Sequence, residues 1–100
     1  MGNLEIGRVK FFLADKGFGY IIIDGNKKEI FFHCSHGRQI ELSGNEPKFS
    51  STRPEKEPKK GDVVIFERAS SSRGPKADPY GFMDDWNRAK KEINPRLAVS

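Results

Sequence analysis

A small antiparallel β-barrel of five strands is the fold class this sequence predicts, and three observations carry it. Five short apolar stretches, within residues 6–13, 18–24, 29–33, 61–68 and 75–82, are each bounded by turn-forming residues. Nothing in the first 82 residues shows the helical apolar period. Strands so few and so short leave unpaired edges unless the sheet curls and closes on itself.

Ile6-Gly7-Arg8-Val9-Lys10-Phe11-Phe12-Leu13 reads as the first strand, followed by a turn at Ala14-Asp15-Lys16-Gly17. Residues 18–24 form the second strand. Asp24-Gly25-Asn26-Lys27 is a hairpin turn, because Asp-Gly and Asn readily take positive φ. Residues 29–33 form the third strand, completing a meander. Residues 36–60 then read as a long polar loop with Pro47, Pro54 and Pro58. Its composition favours mobility, since little apolar surface is available to offset ordering entropy. Ile40, Leu42 and Phe49 are its sizeable apolar anchors. Phe49 has two readings of equal weight, a stacking ring on the loop or a side chain tucked into the core.

Residues 61–68 are the fourth strand, a continuous apolar run suited to barrel closure. Ala69-Ser70-Ser71-Ser72-Arg73-Gly74 reads as a flexible turn. The fifth strand, 75–82, contains Pro75 and Pro79, which cannot donate ladder bonds, so an edge or interrupted strand is expected. A short helix comes next at about 84–93: Asp84 and Asp85 open it, basic residues close it, and Pro95 lies beyond. Trp86, Ala89 and Ile93 share one face at helical spacing, and packing on the barrel is its expected use. One domain over 5–82 and a C-terminal extension over 83–100 result.

The candidate site comes from strand periodicity. Alternate side chains face opposite ways. Phe18 and Tyr20 therefore share one face with Phe31 and His33 of the neighbouring strand, while Ile21, Ile23, Ile30 and Phe32 form an aliphatic layer behind. Aromatic residues in strands commonly belong to a core. Two features favour a surface instead. Gly17 and Gly19 flank Phe18, and strand glycines mark close approach of a ligand or another backbone. Lys10, Lys16 and His33 lie among the rings, and burial would oblige those charges to find partners.

Composition narrows the function class. A net charge of +4 leans mildly toward an anionic partner. The single cysteine, Cys34, excludes an internal disulfide framework and fits a reducing compartment. No apolar run approaches the ~18 residues of a membrane span, and residues 1–5 lack signal-peptide character. A cytoplasmic location is the expectation. Gly17-Phe18-Gly19 lacks the third glycine and following helix of a nucleotide loop. No nucleophile–base arrangement or carboxylate pair can be argued from spacing, so neither enzyme activity, a cofactor nor a small-molecule substrate is expected. His33-Cys34-Ser35-His36 crowds metal-ligand residue types, yet His33 and Cys34 point oppositely on a strand and no second cluster exists. No metal is expected.

Gly7-Arg8-Val9-Lys10-Phe11-Phe12, Asp15-Lys16-Gly17-Phe18-Gly19-Tyr20-Ile21 and Ile30-Phe31-Phe32-His33-Cys34-Ser35 together resemble the cold-shock domain, a five-stranded OB-fold. The last two look like that family's paired ribonucleoprotein motifs, in its order and spacing. The RRM fold shares a related first motif, but there the other motif precedes it, and Ile23 stands where an aromatic would be required. The cold-shock resemblance spans roughly 5–35 and 61–82. It implies single-stranded RNA or DNA binding, with Lys10, Phe11, Phe18, Tyr20, Phe31 and His33 at binding positions, and a role as RNA chaperone or regulator. Three departures stand out: Phe11 for the usual Trp, Cys34 for the usual aromatic, and Leu13 for the usual Asn. The long loop replaces a shorter one.

Stacking of bases on rings is the expected mode. Lys16, Arg68, Arg73 and Lys76 join Lys10 as phosphate contacts, and Phe49 is a further ring. The rival reading is an OB-fold protein-interaction module that has lost or weakened nucleic-acid binding, gripping another protein through the aromatic face, the long loop or the Trp86 helix. Self-association through the loop or the helix is a further expectation.

Overall fold

The computed structural model describes residues 4–23, 25, 28–72 and 74–93. Its strands are β1 (Leu4–Leu13), β2 (Phe18–Ile23), β3 (Glu29–His33), β4 (Ile40–Ser43), β5 (Glu46–Phe49), β6 (Val63–Ser71) and β7 (Gly74–Phe82), and its helix is α1 (Met83–Ile93). Five of the strands close a barrel in the order β1-β2-β3-β7-β6, and β4 with β5 forms a separate hairpin. The expected five-stranded barrel is present, with one short C-terminal helix.

The aliphatic layer is the core. Ile21, Ile23, Ile30 and Phe32 are buried with Val9, Val64, Phe66, Ala77, Tyr80 and Phe82. On β2 and β3 burial alternates residue by residue, which fixes register: a one-residue slip would turn every core side chain to solvent. Long β1 serves two neighbours. Residues 4–8 pair with β6 and residues 7–13 with β2.

Three expectations need correction. The prolines predicted an edge or interrupted strand at 75–82, but β7 is a nine-residue strand that closes the barrel. It pairs antiparallel with β6 and, at Phe31↔Lys76 and Phe32↔Ala77, parallel with β3. Pro79 is accommodated where the β6–β7 register shifts, between the pairs Phe66↔Tyr80 and Arg68↔Ala77. The flexible turn expected at 69–74 is mostly strand, since the β6–β7 pairing continues to Ser71↔Gly74.

The loop expected over 36–60 is the third correction, because it is organised. The β4–β5 hairpin turns at Gly44-Asn45, and backbone bonds tie its base: Gln39 N–H to Thr52 O at 2.9 Å, Ser50 N–H to Gln39 O at 2.8 Å, and Arg38 N–H to Tyr80 O at 2.8 Å. Lys56 lies 4.2 Å over the Phe82 ring, a cation–π contact. The helix packs on the hairpin through Trp86, whose ring centroid is 5.7 Å from that of Phe49. Trp86 and Ala89 are buried, as their spacing predicted. The side chain of Ile93 and the turn residues 24, 26 and 27 lie outside the described residues.

Candidate nucleic-acid interface

Three adjacent strands carry one group of rings. The pairs Phe18↔His33 and Tyr20↔Phe31 across β2 and β3, and Phe11↔Tyr20 across β1 and β2, set them side by side. Phe18 and Phe31 stack with centroids 5.7 Å apart and planes 29° apart. Tyr20 meets Phe31 edge-on at 5.9 Å and Phe11 at 5.5 Å. All five side chains, His33 included, are half-buried rather than sealed in the barrel.

Phe11 reaches this face because of an irregularity. Strict alternation from buried Val9 would send Phe11 inward. The β1–β2 register shifts between Val9 and Phe11, so Lys10 is the extra residue of a bulge and re-aims the side chains after it. Phe11 then faces out with Tyr20, while Phe12 packs inward on Phe32 at 5.8 Å.

The glycines have internal explanations. A Cβ on Gly19 would collide with the Phe11 carbonyl and crowd the Phe32 ring. Gly17 closes the preceding turn at φ 79°, a conformation other residues rarely adopt. Close approach of the β1 backbone accounts for Gly19 and the left-handed turn conformation for Gly17, with no ligand needed for either.

A groove of about 670 Å³ crosses this face, lined by Phe18, Tyr20, Phe31 and His33, and beyond them by His36, Ser71, Ser72, Lys76 and Glu29. Of the described residues that line it, Glu29 is the acidic one and Lys76 the lysine, whereas Phe11, Lys10 and Lys16 do not line it. The charges around it are loosely held. Lys10 pairs with Glu29 at 2.7 Å, both side chains being nearly half exposed, and such a pair is worth only ~0–1 kcal/mol. Lys76 lies 3.6 Å from Asp78. Lys16 is exposed in the turn before Phe18. His33 accepts from the Ser35 N–H at Nδ1, 3.1 Å, which fixes the ring and leaves Nε2 to carry its proton.

Two expected contributors are elsewhere. Arg68 does not line the groove. Its guanidinium grips the Glu5 carboxylate through Nε and Nη2, at 3.0 and 2.8 Å. Phe49 takes neither expected place: it is half-buried and outside the barrel core, and its ring packs against Trp86, because the hairpin turns it toward the helix. Arg73 lies outside the described residues. The sequence marks His36 only as a metal-ligand type, yet it lines the groove. No group of three or more metal-ligating side chains occurs among the described residues.

Sequence comparisons bear on this face. The profile of the 'Cold-shock' DNA-binding domain matches residues 5–79. Cold shock protein ScoF of Streptomyces coelicolor is 32% identical over 72 residues, which is 72% of this chain and 88% of that protein. Cold shock-like protein CspG of Escherichia coli is 52% identical over 33 residues, covering 33% of this chain and 47% of CspG. The same figures hold for CspG of Shigella flexneri.

Proposed function

The chain belongs to the cold-shock domain family, a nucleic-acid-binding family, and on that premise we propose that it binds single-stranded RNA or DNA by stacking bases on Phe11, Phe18, Tyr20, Phe31 and His33. The observation that supports this reading is the contiguity of half-exposed rings from three adjacent strands, four of which line one groove together with Lys76.

A base presents a flat polarisable face whatever its identity, and each stack contributes about 1–3 kcal/mol. Several stacks, less the ordering costs, correspond to micromolar to nanomolar affinity. A duplex hides its base faces, so single strands are preferred. Keeping bases apart from one another opposes hairpin formation in RNA, a chaperone-like effect that needs neither nucleotide hydrolysis nor a cofactor. The lysines contact phosphates and make binding salt-dependent.

Fluorescence titration with labelled oligonucleotides tests the proposal. Phe18→Ala and Phe31→Ala are each expected to weaken binding of an oligo-pyrimidine about tenfold or more, with the thermal transition little changed because neither ring belongs to the core. Folded variants that bind like the parent would overturn it. A parent protein that ignores oligonucleotides altogether would favour the protein-interaction reading.

A further inference from the structure

We infer that His36 is a nucleobase platform which, with Lys76 beside it, carries the bound strand one nucleotide beyond His33. The inference rests on the single-strand reading above and concerns a residue outside the motif rings.

The backbone explains how His36 gets there. After β3 the chain enters a single 3-10 turn, Cys34–His36, capped by His33. Had the strand continued, a residue three positions on would face away from His33. In a 3-10 turn, with three residues per turn, positions i and i+3 lie over one another. The two imidazoles accordingly meet at 6.3 Å between centroids, with planes 62° apart. That separation is close to those among Phe11, Tyr20, Phe18 and Phe31. The intervening Cys34 brings no ring, and its Sγ lies near Gly17. His36 is therefore the next flat side chain along the groove that Phe18, Tyr20, Phe31 and His33 line.

Its surroundings suit stacking better than ion pairing. Nδ1 is buried and has no hydrogen-bond partner among the described residues, so a proton placed there would be stranded. Burial holds the His36 pKa below its ordinary value, ahead of the opposing pull of Asp78. Lys76, His33 and Arg38 push the same way as burial. The ring is thus neutral near pH 7, while its side chain keeps 28% of its surface exposed. Asp78 Oδ2 stands 3.8 Å from His36 Nε2 and 3.6 Å from Lys76 Nζ. One carboxylate oxygen so places an ammonium beside the ring, where the phosphate of a stacked nucleotide would lie. Neutral histidine is among the side chains on which unpaired bases stack.

The test compares oligo-dT of about four and about eight nucleotides, both within the span of one OB fold, on the intact chain. His36→Ala is expected to weaken the longer oligonucleotide about tenfold and leave the shorter unchanged. His36→Phe should restore the longer one, and His36→Lys should not. Upfield shifts of the His36 ring protons, on titrating the unmutated protein with the longer oligonucleotide, give a readout independent of variant folding. Equal affinity of His36→Ala and parent for both lengths, or equal loss at both, would overturn the inference. So would rescue by Lys but not Phe, or ring protons that stay put. Phe31→Ala run alongside separates the layers. If it loses binding while His36→Ala does not, only the role of His36 falls. If neither loses binding, base stacking itself falls.

Discussion

On β2 and β3 every second side chain is buried, and those between them make the ring face. On β4 and β5 no side chain is buried, yet the hairpin is as definite a piece of structure. The first region is ordered by what its side chains leave behind in water. The second is ordered by main-chain bonds at its base and by the Phe49–Trp86 contact. A functional surface can be written into a sequence as alternation, because the barrel beneath needs the same alternation. A cap resting on the barrel carries no such imprint.

Separating the two regions by mutation sharpens this contrast. Trp86→Ala should have the largest effect, about 3 kcal/mol of stability. Amide hydrogen exchange should show β4, β5 and α1 losing protection while β2 keeps it, with oligonucleotide affinity unchanged. Uniform loss of protection would mean that cap and barrel open as one unit. A smaller effect belongs to the groove: Lys76→Ala should flatten the plot of log affinity against log salt by about 0.7, the share of one phosphate contact on a single strand. An unchanged slope would remove Lys76 from the interface. Glu5→Gln should matter least. It breaks the exposed Arg68 pair, so urea unfolding should shift by less than about 1 kcal/mol, and affinity should stay level, since that pair lies outside the groove. A gain in affinity would return Arg68 to the site.

Most of the barrel and four of its rings were legible from the sequence. Phe18, Tyr20, Phe31 and His33 follow from a period of two, and the bounds of β3 are those expected. What escaped depends on departures from that period or on distant partners. Phe11 faces out only because a bulge at Lys10 resets the alternation; the family resemblance, not periodicity, placed it. His36 is delivered by a 3-10 turn, which a strand reading inverts. Phe49 is claimed by a tryptophan on the far side of β6 and β7 in the chain, and nothing near residue 49 announces it. The hairpin had one local signal, Gly44-Asn45, a turn pair typical of two-residue hairpin loops. The polar flanks and Pro47 masked it, because an isolated hairpin off the main sheet needs no alternating apolar face.

Among the described residues, β3 and β7 are joined by two ladder pairs, Phe31↔Lys76 and Phe32↔Ala77, with the isolated bridge Gly37↔Tyr80 beyond them. Phe31 stands on one bank of that seam and Lys76 on the other, and both open into the same groove. A strand that rests a base on the first and a phosphate on the second stitches the barrel shut where it is thinnest. Ligand should therefore raise the melting temperature and slow amide exchange first along this join, so that cargo and container stiffen together.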